Sequence, residues 1–329
     1  MIDFAIFGAG RIGSIHAGNI VKAPGVHLKY VVDPNAEYAQ ALAKRHGSEV
    51  ATVAQVFEDK GIQAVLICSS TDTHADLILA AAAAKKHIFC EKPVDLDVER
   101  AKVCATAVKS AGVTCMIGFQ RRFDPTFAAV KSRLAAGEIG TPEMLIVTSR
   151  DPGAPPIPYI KSSGGIFKDM LIHDLDIFRW ILDDEAESVY ASASCLVDPA
   201  IAEAGDADST AVTIRTRKGR LCVINTSRRA AYGYDQRFEV LGSGGMLQAG
   251  NHAPTEVVAS TATSVTRDLP ERFFLERYRA AYAAETAHFL AVLAGKETLR
   301  TTIDDGVKAL ELADAATTSW REGRIVRMT

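Results

Sequence analysis

Gly8-Ala9-Gly10-Arg11-Ile12-Gly13 is the stretch that most narrows what this chain can fold into. A short apolar run, Asp3 to Phe7, leads into it, and a segment with helical spacing, Ile12 to Val21, leads out. Asp33 stands about 20 residues beyond Gly13, at the end of a second apolar run, Leu28 to Val32. In that setting G-x-G-x-x-G reads as a dinucleotide-binding turn. Gly8 allows the tight turn, Gly10 lets the backbone approach a pyrophosphate, and Gly13 lets the helix pack closely on its strand. The helix N-terminus points free N–H groups and a partial positive charge at the phosphates. Asp33 accepts hydrogen bonds from an adenosine ribose. A carboxylate there repels a 2′-phosphate, and Pro34 and Asn35 bring no cation, so NAD is expected rather than NADP. A glycine-rich turn in some other doubly wound sheet is the competing reading of the motif by itself.

The same rhythm continues. Ala64 to Cys68, His87 to Cys90 and Val113 to Ile117 are short and mostly apolar, as strands covered on both faces are. Ala36 to Arg45, Thr73 to Lys86 and Val98 to Ala111 carry helical spacing between them. Alternating βαβ units build a parallel sheet with right-handed crossovers. Beyond Gly118 the texture changes. A helix is expected over Phe123 to Ala136, and Pro152, Pro155, Pro156 and Pro158 make a loop without regular structure. Ile166 to Leu182 reads as a buried helix. Val189 to Val197, Ser209 to Arg217, Arg220 to Ser227, Arg237 to Leu241 and Met246 to Ala249 alternate as antiparallel strands do, with turns at Lys218-Gly219 and Ser243-Gly244-Gly245. Helices over Phe274 to Leu293 and Asp304 to Glu322 follow. The expected fold is an α/β Rossmann N-terminal domain, residues 1–118, followed by an α+β C-terminal domain, residues 119–329, built on a large, mainly antiparallel open-faced sheet. Helices on one side leave that sheet a second face, which self-association can cover.

Charge and composition exclude several classes. The 37 Lys and Arg residues nearly balance 40 Asp and Glu, and no run of like charge forms a nucleic-acid arm. The apolar stretch Leu77 to Ala84 ends at Lys85 and Lys86, short of the roughly 20 residues that a membrane helix needs. Met1 runs almost directly into the first strand, with no room for a cleavable leader, so a cytoplasmic protein is expected. Cys68, Cys90, Cys104, Cys115, Cys195 and Cys222 lie in apolar stretches without C-x-x-C spacing and read as reduced core thiols.

A dinucleotide fold leaves the reaction open. Ser69-Ser70-Thr71 follow Ala64 to Cys68, at the carboxyl edge of the sheet where ligands bind. They can line the nicotinamide side of the site or simply form a turn. Glu91-Lys92-Pro93 follows His87 to Cys90, so Lys92 reaches the same edge. An ammonium there stabilises alkoxide character on a substrate oxygen; a solvated loop lysine is the alternative. Asp169, His173 and Asp176 are spaced to share one face of the buried helix. Histidine beside a carboxylate suits proton transfer near neutral pH. A core histidine bridging Asp169 and Asp176, or a metal held by all three, are the alternatives, but no second histidine cluster completes a metal site and none is expected. Tyr232, Tyr234 and Asp235, with Arg121 and Arg122, suit a polyhydroxylated ligand or act as packing and surface groups.

Taken together, Gly8 to Gly13, Glu91-Lys92-Pro93 and the run Gly164-Gly165-Ile166-Phe167-Lys168-Asp169-Met170-Leu171-Ile172-His173 resemble the glucose-fructose oxidoreductase/inositol dehydrogenase (Gfo/Idh/MocA) family over essentially the whole chain. Gly118 to Asp124, Ser149 to Pro152 and Tyr232 to Val240 resemble its bacterial inositol 2-dehydrogenases in particular. The resemblance implies Lys92, Asp169 and His173 as catalytic residues, and Lys92, Arg121, Asp151, Asp169, His173 and Tyr234 as those that meet a cyclitol. It implies a cofactor set of Gly8, Gly10, Arg11, Ile12, Gly13, Asp33, Ser69, Ser70, Thr71, His74, Glu91, Lys92 and Gln120. The implied reaction is oxidation of a secondary hydroxyl with NAD, foremost myo-inositol to 2-keto-myo-inositol with NADH formed, in a homo-oligomer that is a tetramer by family habit. Gln120 stands where inositol enzymes often have Met and Asp151 where they often have Asn. Another inositol isomer or a sugar such as glucose, with NAD or NADP, therefore stays open, as does, more remotely, a non-catalytic NAD-binding sensor.

Overall fold

Apolar strands that alternate with amphipathic helices bury both faces of a sheet, and the first third of the chain follows this plan with six strands and five helices between them. The computed structural model describes residues 1–328. In chain order the first elements are β1 (Ile2–Phe7), α1 (Arg11–Ile20), β2 (Val26–Val32), α2 (Ala36–His46), β3 (Glu49–Val50), α3 (Val53–Glu58), β4 (Ile62–Ile67), α4 (His74–Ala83), β5 (His87–Glu91), α5 (Val98–Ala111) and β6 (Cys115–Gly118). The strands are parallel in the order β3-β2-β1-β4-β5-β6, the doubly wound arrangement. Helix starts are set locally: Asn35 and Asp97 accept from the first free N–H groups of α2 and α5. The pair β3 and α3 is absent from the sequence reading. Two residues make too short a strand to show a pattern, although Thr52 and Gln55 form a capping box that marks the start of α3.

There follow α6 (Pro125–Ala135), β7 (Pro142–Arg150), α7 (Ile157–Ser162), a π-helical turn over Phe167–Leu171, α8 (Ile172–Leu182), β8 (Ala186–Ser194), α9 (Pro199–Glu203), β9 (Ser209–Thr216), β10 (Leu221–Ser227), β11 (Asp235–Gly242), β12 (Gly245–Ala249), the short hairpin β13 (Val258–Ser260) and β14 (Val265–Arg267), α10 (Phe274–Arg277), α11 (Arg279–Leu293), α12 (Ile303–Glu322) and β15 (Val326–Arg327). The second sheet runs β12-β11-β7-β10-β9-β8-β15. It is antiparallel except where β7 lies parallel to β10, at its centre. Sequence reading overlooks β7, because Gly140-Thr141-Pro142 looks like a break; Pro142 is the strand's first residue, where its missing N–H is tolerated. The proline loop also corrects the expectation: it contains α7, with Pro156 as its cap and a proline in its first turn, positions that need no N–H. The helix expected over Ile166 to Leu182 opens instead with the π turn, and the one expected over Phe274 to Leu293 divides at Tyr278.

The chain divides into two compact units. Residues 1–120 group with 281–310, and residues 121–280 with those from 311 on. The boundary expected after residue 118 therefore marks only the first crossing of the chain. The return is explained by packing, since Phe289 of α11 meets Phe4 and Phe89 edge-on at ring separations of 6.3 and 5.8 Å. Thr301 and Thr302 pair with the outer edge of β6. In the second unit, the inner sheet face packs Leu145, Val147, Val212, Ile214, Cys222, Ile224, Phe238 and Val240 against α6, α8 and the later part of α12. No helix among the described residues is long and apolar enough to cross a membrane, and all six cysteines are free.

Three arginine–carboxylate pairs lie inside the second unit. Arg121 binds Asp174, Arg122 holds both oxygens of Asp176, and Arg277 binds Asp124, all of them nearly sealed from solvent. Asp124 also caps α6 through the N–H groups of Thr126 and Phe127. Asp124→Ala should strand a buried guanidinium and uncap α6 together, a loss of about 3–5 kcal/mol. Urea unfolding curves of the two proteins measure it, and a difference below about 1 kcal/mol would contradict the assignment.

Candidate active site

Close approach of α1 to β1 is built by the glycines of the first unit. Gly8 has φ +96°, and a Cβ there would run into the backbone of Cys68 and Ser69; a Cβ on Gly13 would collide with the Gly8 carbonyl. Around Gly10 nothing lies within 4 Å of the position a Cβ would take, so the turn is open to a ligand at that point. No side chain caps α1, whose first-turn N–H groups are left for an anion. Asp33 sits past the end of β2, where Oδ2 accepts from Ala9 N–H at 2.7 Å and Oδ1 from Asn35 N–H at 2.8 Å. These residues fit a dinucleotide: an open glycine edge, uncapped donors and a carboxylate fastened beside them. Arg11 is exposed and Ile12 half-buried at the mouth of the turn.

At the carboxyl edge of the same sheet, Ser69 Oγ meets Thr73 Oγ1 at 2.6 Å, and Thr71 begins a single 3₁₀ turn in which Thr73 donates to the Ser70 carbonyl. These hydroxyls therefore shape the loop whatever else they touch. His74 is buried, with Nδ1 2.7 Å from the Pro93 carbonyl and Nε2 3.1 Å from that of Ser69. Burial pushes its pKa down, so the ring is a neutral strut with one N–H for two carbonyls. Lys92 is half-buried directly after β5, and its bond to Pro93 is cis. Glu91 Oε1 lies 2.6 Å from His16 Nε2. Gln120 is buried just past β6.

The proton-transfer candidates belong to the second unit. On a segment whose other residues are largely sealed, Asp169 and His173 keep partial exposure. Asp169 accepts from Tyr159 Oη at 3.0 Å and lies 3.4 Å from the Arg228 guanidinium. Asp176 is not part of this group, contrary to the shared-face reading, because Arg122 claims both of its oxygens. Arg121 donates to Asp174 and approaches Ser149 Oγ at 3.4 Å, while its Nε has no acceptor among the described residues. Tyr234 is buried against Tyr278, with ring centroids 6.0 Å apart. Tyr232 and Asp235 bind each other.

Asp151 is a perturbed carboxyl. Burial pushes it up to about 6, with Arg228 pulling it down and Asp169 raising it further. Its N–H donates to Ser227, so the parallel pairing of β7 with β10 sets Asp151 and Arg228 side by side past the two strand ends. Arg228 and Tyr159 are the residues that sequence reading misses. Arg228 becomes visible only once β7 is recognised as the parallel neighbour of β10.

Comparison with known proteins places the chain in a family. Residues 2–119 match the oxidoreductase family's NAD-binding Rossmann fold and residues 127–248 match the GFO/IDH/MocA C-terminal domain. The inositol 2-dehydrogenase of Rhizobium meliloti is 46% identical, covering 98% of each chain. The crystal structure of a myo-inositol dehydrogenase from Corynebacterium glutamicum superposes with a TM-score of 0.95 at 44% identity, covering 100% of this chain and 99% of that one. A scyllo-inositol dehydrogenase from Lactobacillus casei, solved with NAD(H) and scyllo-inositol bound, reaches 0.93 at 27% identity over 99% of each chain. Two domain matches in the right order and a full-length relative at this identity leave one family: the chain is an oxidoreductase of the GFO/IDH/MocA family whose first domain is an NAD-binding Rossmann fold.

Proposed function

We propose that the protein oxidises one secondary hydroxyl of a cyclitol with NAD, foremost myo-inositol to 2-keto-myo-inositol. The observation that carries the reading is that Asp169 and His173, four residues apart, keep partial exposure on an otherwise sealed segment, with Arg228 and Asp151 gathered around Asp169. The names of the relatives, which act on inositols, support it. When bound, NAD supplies the hydride acceptor at its nicotinamide ring. His173 accepts the hydroxyl proton, and Asp169, held by Tyr159 and Arg228, keeps the imidazole in the accepting state. Lys92 offers its ammonium to the alkoxide character that develops on oxygen. Asp151, Tyr234 and the remaining donors of Arg121 read the other hydroxyls. Asp33 disfavours a 2′-phosphate, which keeps NAD ahead of NADP.

A second reading rests on Asp151. A carboxyl in place of a carboxamide changes which hydroxyl pattern is preferred, so another inositol isomer or a sugar can replace myo-inositol without altering the roles above. Initial rates of NADH formation with a panel of inositols and hexoses, each with NAD and NADP, separate the two. The outward face of the second sheet bears on assembly: Tyr190, Leu221, Leu241 and Met246 share it and are each over 40% exposed. A second copy of this chain covers that face in a homo-oligomer, a tetramer by family habit.

Lys92→Ala and His173→Ala should each lower kcat by about 10²-fold or more while NAD affinity, read by fluorescence titration, is retained. Near-normal turnover in both variants would reject the assignment. For Asp151, the folded carboxyl holds its proton up to about pH 6 while the unfolded one loses it near 3.9, so stability from this group falls as pH rises between those values. Asp151→Asn should match the wild type near pH 4 and exceed it by roughly 3 kcal/mol at pH 7. Parallel pH profiles in chemical unfolding would count against the buried acid. Leu221→Asp combined with Leu241→Asp should reduce the mass measured by light scattering to that of a smaller assembly, and an unchanged mass would place the interface elsewhere.

A further inference from the structure

Next to Lys92 lies a buried group that the proposed reaction does not use. His16 on α1, Glu91 at the end of β5 and Glu285 on α11 bring three ligand-type atoms within 4.8 Å of one another, all inside the first unit. His16 and Glu91 form a hydrogen bond of 2.6 Å. Glu285 is completely buried, yet neither of its oxygens meets a donor among the described residues. The rings packed on His16 are those of Phe89 and Tyr282, at 4.7 and 5.7 Å. Other titratable groups near the cluster are the thiols of Cys68, past β4, and Cys90, on β5, the His74 imidazole, which interacts with Glu91, and the Tyr282 phenol beside His16.

A lone carboxylate in such a place would cost several kcal/mol, and two facing carboxylates more. Two carboxyl groups in one buried cluster are stable when together they hold one proton. Glu91 has little freedom to move away. His16 holds one side, and β6 passes so close on the other that a Cβ on Gly118 would press on the Glu91 carboxylate. We propose that Glu285 carries the proton this cluster needs, presents it to Glu91, and thereby acts as a positioning residue for Lys92, the next residue along the chain. Burial and the nearby Glu91 both push the Glu285 carboxyl well above the usual range, which agrees with the geometry. Loss of that proton sets two negative groups against each other under the β5 edge, and Lys92 moves with it.

The proton assignment stands by itself; its link to Lys92 rests on the dehydrogenase reading. Infrared spectra of the purified protein at pH 8 should contain a carboxylic-acid C=O band that shifts in D₂O and is missing in Glu285→Gln. In steady-state assays Glu285→Gln should keep kcat within about threefold of the wild type, because it preserves a neutral donor. Glu285→Leu, apolar and without a donor, should lower kcat at least tenfold with KM for NAD nearly unchanged. Absence of the band, equal kcat for the Gln and Leu variants, or one equivalent of a divalent cation in the purified protein that chelation removes with a fall in Tm, would each overturn the proposal. If the wild type oxidises no polyol, the dehydrogenase reading fails while the infrared comparison still decides the proton.

Discussion

A charge taken out of water has to be met by an opposite charge or a donor, and the second unit is organised around that requirement. Arg121, Arg122 and Arg277 are each committed to one aspartate, and those pairs fix how the turn after β6, α6, α8 and α10 pack. What is left is chemically informative. Asp151 and Asp169 gather around the Arg228 guanidinium, and Asp151 is raised chiefly by its burial, with Arg228 pulling it down and Asp169 adding to the rise. The stability of the framework and the reactivity of the site thus come from the same accounting of buried charge, settled in one place and left unsettled in the other.

The cofactor half was legible in the sequence because its contacts are local. The turn at Gly8 to Gly13, Asp33 and the edge residue Lys92 all lie at strand ends that a βαβ rhythm exposes to simple reading. Helix caps at Asn35 and Asp97 are likewise written within a few residues of what they bind. Non-local pairings were not legible. Strand β7 has a proline at one end and partners far along the chain, so nothing near Pro142 marks it as the centre of a sheet. Arg228, Tyr159 and Glu285 owe their places to such pairings, or to the return of α11 into the first unit. The π turn before α8 shows a further limit. A spacing argument that assumes 3.6 residues per turn groups Asp176 with Asp169 and His173, and the structure assigns Asp176 to Arg122 instead.

The two units also use different parts of the chain for recognition. In the first, the backbone does most of it, through glycines without side chains and N–H groups without caps. In the second, the proposed recognition falls on side chains past the ends of β7 and β10 and on the helical segment that opens with the π turn. Under the proposed reading, a change of substrate falls to single side chains such as Asp151, while Gly8 and Gly13 of the cofactor turn have no room for a side chain.

The edge of the second sheet has a consequence of a different kind. Strand β8 would be an open edge, with a row of unpaired backbone groups able to recruit a strand from another molecule. Two short devices close it: β15 pairs with Ser188 and Val189, and Ser319 Oγ on α12 accepts the N–H of Ala191 at 2.9 Å. Val326 and Met328 also pack on the core of this sheet, so the closure is anchored by side chains as well as by backbone. With β15 peeled away, β8 would present neighbouring molecules with a template for aggregation.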